Sequence, residues 1–193
     1  VSVRQQLEDG SASRPFNALA HAVEAMWAPR RNPVSTAVAG EAVEQLAAGL
    51  RTGDAAELLC GAWLGSSAFA VAGSGLHHKL CHVLGGTFAL PHARMHAVVL
   101  PHVLAFNAPG APEVAGRVAR ALGVDDAVAG LRALADAHGI PRGLRALGMP
   151  EAGVAKAAAL TAPVVPADNP VPITDGALER LVRAAWSGGS DAV

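Results

Sequence analysis

The chain has 193 residues, a formal net charge of −1, 51% hydrophobic residues and only 16% charged ones. That is enough apolar material for a sizeable core, and it excludes an intrinsically disordered chain. Near-neutral charge, with no basic run interleaved with aromatics, excludes a nucleic-acid-binding surface.

Residues 1–15 read as a polar N-terminal tail, and residues 16–189 as a single all-helical domain. The first helix is predicted from Asn17, as its N-cap, to Ala28, stopped by Pro29. Asn32-Pro33 starts a second, to about Leu50. Asp54 caps a third, which contains the charge-free stretch Leu58 to Leu76. That stretch is long enough to span a bilayer, but it is rich in Gly and Ser and lacks flanking Lys or Arg anchors. It is therefore read as a helix buried on all sides, with no membrane contact.

His77 to Leu84 reads as a helix broken at Gly85-Gly86. The next runs from His92, is interrupted by Pro101 and ends near Asn107. Pro112 and Gly123 bracket another, and Asp125 and Gly139 one more. Short helices follow at 142–147 and 151–161, then a proline-rich connector at 162–173 and a last helix at 176–186. Nothing alternates with period two for long enough to be a strand, so the fold class is all-α, with about eight helices. Neither a Gly-rich turn after a strand nor a Walker loop occurs, so no nucleotide-binding half is read in this sequence. Cys60 and Cys81 sit in apolar helical contexts, and no signal peptide is read. Both points fit a reducing, cytoplasmic setting.

The chemistry concentrates in histidine. His77, His78, His82, His92, His96 and His102 crowd one stretch. His78 and His82 are four apart, as are His92 and His96, and Asn17 and His21, so each pair shares a helix face. Three neutral imidazoles can hold a divalent metal with one position open. A fourth can act as general acid or base near pH 7. His138, just before Gly139, and His102, after Pro101, read as structural; a cation near a helix C-terminus is favoured by the dipole.

The stretch resembles the signature of the iron-containing alcohol dehydrogenase superfamily, at His78, His82, Pro91-His92, Leu100-Pro101-His102-Val103 and Asn107. Within it the chain is most similar to the maleylacetate reductases, on "NALAHAVEA", "GLHHKLCHVLGGTF", "HAVVLPH", "LRALGMPEAG" and "NPVPITDGALERLVRAAWSG". The resemblance covers about residues 15–188 and implies a helical bundle like the C-terminal domain of these enzymes and of the dehydroquinate synthases. It implies metal-ligand positions at Asn17, His21, His78 and His92, and a catalytic, non-ligand histidine at His82. With Asn17 an amide that contributes no charge, the metal set reduces to His21, His78 and His92, for Zn²⁺ or Fe²⁺. His77, Lys79, Arg94 and His96 are taken as substrate-binding. Arg94 and Met95 stand where the reductases show an acidic residue and Thr, and a guanidinium there can grip a carboxylate.

The family's α/β domain, which binds NAD(P)H, has no counterpart in this sequence, so that cofactor is expected only if a separate nucleotide-binding domain is supplied. The favoured expectation is therefore a stand-alone helical enzyme. It would use His82, His78, His21, His92 and Asn17 for redox-neutral acid/base chemistry on a small carbonyl or carboxylate compound. The alternative is the C-terminal catalytic half of an NAD(P)H-dependent maleylacetate reductase, and the third is a non-enzymatic binding module. A homodimer, or a partner covering an exposed apolar face, is expected in each case.

Overall fold

The computed structural model describes residues 13–189. The predicted tail lies outside them, apart from Ser13 and the helix start. Among the described residues there are nine α-helices, three short 3₁₀ segments and no strand. The helices are α1 (Arg14–Ala25), α2 (Pro33–Thr52), α3 (Ala55–Ala72), α4 (Leu76–Phe88), α5 (His92–Asn107), α6 (Pro112–Leu122), α7 (Ala127–Ala137), α8 (Gly153–Thr161) and α9 (Ala177–Ser187).

Local side-chain caps account for three of the helix starts. Asn32 accepts from the amides of Val34 and Ser35, and Ser35 Oγ accepts from the Asn32 amide in return, with Pro33 at the first turn. Asp54 and Asp126 cap α3 and α7 through their Oδ1 atoms. The cap of α7 is thus Asp126, one residue after the expected Asp125. The start of α1 departs further: it begins at Arg14 after Ser13, which places Asn17 inside the helix rather than at its cap. It ends at Ala25, and the chain turns before Pro29.

Two expected breaks do not occur. Helix α4 runs through Gly85-Gly86 to Phe88 and stops at Ala89, which adopts φ 52°. Two helical glycines cost roughly 1 kcal/mol each against Ala. Packing on α5 and α8 compensates: Phe88 lies over Gly153, where a Cβ would meet its ring at 2.7 Å. Helix α5 likewise runs through Pro101, whose ring removes one amide donor but whose neighbours are all buried.

Helix α3 corrects a second expectation. It is not buried on all sides: only Leu58, Gly61, Gly65, Ala68 and Ala72 are buried, one residue per turn. Leu59, Trp63 and Val71 are 56%, 69% and 51% exposed. The buried stripe is small because α3 crosses α1 and α2 closely. A Cβ on Gly65 would lie 3.0 Å from Ala18 O, and one on Gly61 2.7 Å from Leu46 Cγ. By length and composition α3 is apolar enough to cross a bilayer.

Helix α5 is the centre of the bundle, in contact with α1, α4, α7 and α9. Its residues Met95 to Leu104 are all buried. Because α1, α4 and α5 meet there, the histidines they carry meet too.

Candidate active site

Six of the chain's eight imidazoles converge where α1, α4 and the start of α5 come together. The His78 ring lies 4.8 Å from His21, 5.1 Å from His77, 4.9 Å from His96 and 6.3 Å from His82, centroid to centroid. His92 is 4.4 Å from His96. Phe69 of α3 closes one side, stacked on His21 at 4.7 Å and tilted against His78 at 4.3 Å.

Burial sorts these rings. His82 and His92 are exposed and His21 is half-buried, whereas His77, His78 and His96 are buried. Of the residues expected to bind substrate, Arg94 is exposed and Lys79 half-buried; His77 and His96 show no surface at all. The structure thus sets His77 and His96 behind the imidazoles that face solvent.

The arrangement turns on Glu24, which sequence reasoning passed over. It is fully buried. Its Oε1 accepts from the His77 amide at 2.6 Å, and its Oε2 lies 2.5 Å from His78 Nδ1. Helix α4 begins at Gly75, which has no side chain to cap it. Glu24 supplies that cap from α1, and its charge also suits the positive end of the helix dipole. Gly75 is needed for this approach: a Cβ there would lie 3.1 Å from Glu24 Oε1. The signal was available, since Asn17, His21 and Glu24 are spaced i, i+4, i+7 on one helix face.

Glu24 fixes the His78 tautomer. Nδ1 donates to the carboxylate, which in the neutral ring leaves the lone pair at Nε2, and that atom is buried without a partner. Among the described residues, the other partnerless buried side-chain polar atoms are Asn17 Oδ1, His21 Nδ1, His77 Nδ1, His96 Nε2 and, apart from this cluster, Trp27 Nε1. Buried polar atoms are normally paired, so their concentration here marks a site built to receive something.

Crowding and burial disfavour the charged form of four of these imidazoles, His21, His77, His82 and His96. Burial, then His78 and His92, push His21 down to about 4. Burial, then His78 and other neighbouring imidazoles, push His96 down to about 2. His77 is driven well below the ordinary value by burial and then by His96. His82 is lowered by partial burial, His78 and Lys79.

His102 and His138 take the structural places expected of them. His102 is buried on α5 and pushed down to about 4 by burial and Arg132. His138 caps α7 with Nδ1 2.9 Å from Leu134 O.

The expected metal set does not assemble. His21, His78 and His92 offer only neutral donors, with an amide at Asn17. The His21 and His78 rings stack with planes 23° apart, so their in-plane lone pairs run side by side rather than converging. Glu24, the nearby carboxylate, is occupied by His78 and two amides. These residues do not fit a resident divalent ion, which prefers charged oxygen or converging nitrogen ligands. Among the described residues, the ligand atoms that do lie within 4.8 Å of one another belong to His77, Cys81 and His96.

The profile of the Fe-containing alcohol dehydrogenase family, C-terminal, matches residues 11–186. The chain belongs to the iron-containing alcohol dehydrogenase family. It is 43% identical to a maleylacetate reductase of Sphingobium indicum and 42% identical to one of Burkholderia cepacia, over 92% of its own length and 53% of theirs. Among solved structures it resembles an iron-containing alcohol dehydrogenase of Corynebacterium glutamicum (TM-score 0.87, 43% identity, 94% of this chain and 53% of that one). It also resembles a maleylacetate reductase of Agrobacterium tumefaciens (TM-score 0.84, 36% identity, 93% and 53%). The expected likeness to the helical C-terminal domain of this family therefore holds. The chain spans about half the length of the curated relatives it matches.

Proposed function

We propose that the chain forms the catalytic helical half of a maleylacetate reductase, which reduces the carbon–carbon double bond of maleylacetate to give 3-oxoadipate. The observation that carries this reading is the 43% and 42% identity to maleylacetate reductases along nearly the whole chain. The redox-neutral reaction favoured by the sequence alone has no observation of its own in its support.

NAD(P)H supplies the hydride when bound. The described residues contain no strand and hence no strand–turn–helix cradle for a dinucleotide, so another half must hold it. The carbon that does not receive the hydride takes a proton, and His82, one of the two exposed imidazoles of the cluster, delivers it in this reading. His78, oriented by Glu24, and His21 line the floor beneath it. Arg94, which is exposed, and Lys79, which is half-buried, are the cations nearest in sequence to His92 and His82 and suit the substrate's carboxylates. The partner in this reading is the nucleotide-binding half, or a second copy, which would also cover apolar surface such as Leu59, Trp63 and Val71. Cys60 and Cys81 are both free, in keeping with a cytoplasmic setting.

The test is complementation. The purified chain is combined with the nucleotide-binding half of the Sphingobium indicum relative and assayed for maleylacetate-dependent oxidation of NADH and NADPH. Turnover that requires both halves supports the reading. Absence of turnover, with cofactor bound normally by the supplied half, overturns it.

A further inference from the structure

Helix α3 is apolar on two opposite faces. One, at Leu58, Gly61, Gly65, Ala68 and Ala72, packs on α1 and α2. The other is exposed at Ala56, Leu59, Trp63, Ser66 and Ala70, with Cys60 and Val71 beside it. Those five positions follow the alternating three- and four-residue spacing along which one helix packs on another. The exposed stripe carries no charge, and a helix apolar on all sides is normally covered on all sides.

Charge is confined to the two ends of α3. Asp54 and Glu57 stand at its first turn, with Glu57 accepting from the Thr52 hydroxyl. Arg30 stands at its last turn, with the exposed Arg31 next to it in the chain. The Arg30 amide donates to Ala72 O, and a Cβ on Gly73 would lie 3.4 Å from the Arg30 guanidinium. Among the described residues, none of these four side chains forms an ion pair. Other charges on α2 are turned towards α6. Arg51 donates to Leu122 O, and Glu41 and Glu44 line a cavity with Arg117 and Arg120.

We propose that α3 packs antiparallel on α3 of a second copy of this chain, about a two-fold axis at Trp63. A two-fold contact requires one patch to complement itself, and acid at one end with base at the other does so. Trp63 is midway between Ala56 and Ala70, so Ala56 faces the partner's Ala70 and the two indoles meet at the axis. Cys60, Ser66 and Ser67 around them are small and leave the rings room. The same register brings Asp54 and Glu57 of each copy to the partner's Arg30. A parallel pairing would instead set like charges together at both ends. Helix α3 has 18 residues and is about 27 Å long. Two such helices in contact bury on the order of 1,000 Å², the low end for a specific interface, so the dimer is expected to be weak.

The test is sedimentation velocity of the purified chain from about 5 to 500 µM, the range that brackets a weak dimer. A reversible monomer–dimer equilibrium is expected. A monomer throughout overturns the proposal, and flotation of that monomer with phosphatidylcholine vesicles would assign the face to a membrane. Trp63→Lys should raise Kd at least about 10-fold while leaving urea unfolding of the monomer unchanged. An unchanged Kd places the dimer on another face and overturns the proposal. Arg30→Glu and Glu57→Arg should each raise Kd about five-fold, and the double variant should restore it. A double variant weaker than either single one overturns the antiparallel register. Cys60 is exposed and Cys81 buried, so alkylation of Cys60 by N-ethylmaleimide gives a readout without substitution. It should slow as the chain is concentrated, and equal rates at both ends of the range overturn the proposal. Neither cofactor nor substrate enters these measurements, so their outcome and that of the complementation assay are separate results.

Discussion

Glu24 and His78 form the one buried carboxylate–imidazole contact described in this chain, Oε2 to Nδ1 at 2.5 Å, and both side chains are almost without exposure. The same carboxylate accepts from the amides that open α4. A single residue on α1 therefore starts the helix that carries the catalytic candidates and sets the tautomer of one of them.

Glu24→Ala leaves two amides and an imidazole N–H without an acceptor, and should destabilise the fold by about 3–5 kcal/mol in urea unfolding. Glu24→Gln keeps one carbonyl oxygen and should cost less. Its amide cannot accept at both positions, however, so the His78 tautomer should invert in the ¹⁵N spectrum. An unchanged tautomer would show that Glu24 does not set it.

His82 is exposed, so His82→Ala should alter stability by no more than about 0.5 kcal/mol. In the complemented enzyme the same change should lower kcat by at least about 100-fold if His82 delivers the proton. Retained turnover would assign the proton to another group.

Acid should unfold the chain through its histidines. His21 and His102 are held down to about 4 and His96 to about 2, against an ordinary value of 6.5. Above pH 6.5 these groups are neutral folded and unfolded, and they add no pH dependence. Below it the unfolded chain takes up protons that the folded chain refuses, so stability falls as pH drops from about 6.5 to 4. Below 4 the slope from His21 and His102 ends, while that from His96 persists towards 2. Unfolding midpoints in urea between pH 7 and pH 4 check the sign. His102→Gln, away from the cluster, should flatten the curve.

Gly61→Ala separates helix propensity from packing. The change gains roughly 1 kcal/mol of propensity. Its Cβ, however, would lie 2.9 Å from the backbone nitrogen of Leu46, which cannot move aside as a side chain can. Net destabilisation of about 1–3 kcal/mol is expected by thermal unfolding. A more stable variant would mean that α3 does not cross α2 so closely.

Trp63, 69% exposed, should tolerate Trp63→Gln within about 0.5 kcal/mol in a monomer. If α3 lies in an interface, the variant should instead lower the association constant in sedimentation experiments while leaving the monomer fold intact.

Much of this protein was legible in the chain alone, because several of its helices begin with local chemistry. Asn32-Pro33, Asp54 and the 3.6-residue spacing of apolar positions act over a few residues, so they can be read without the fold. The spacing of His78 with His82, and of His92 with His96, is of the same kind. The tertiary structure decided what depends on contacts between distant residues. Gly85-Gly86 stays helical because Phe88 packs on Gly153. Helix α3, charge-free from Leu58 onward, exposes Trp63 because two neighbouring helices cover only one of its faces. Glu24 becomes the cap of α4 because α1 lies across its start, and burial, which no local pattern reports, divides six crowded imidazoles into those that face solvent and those that hold them in place.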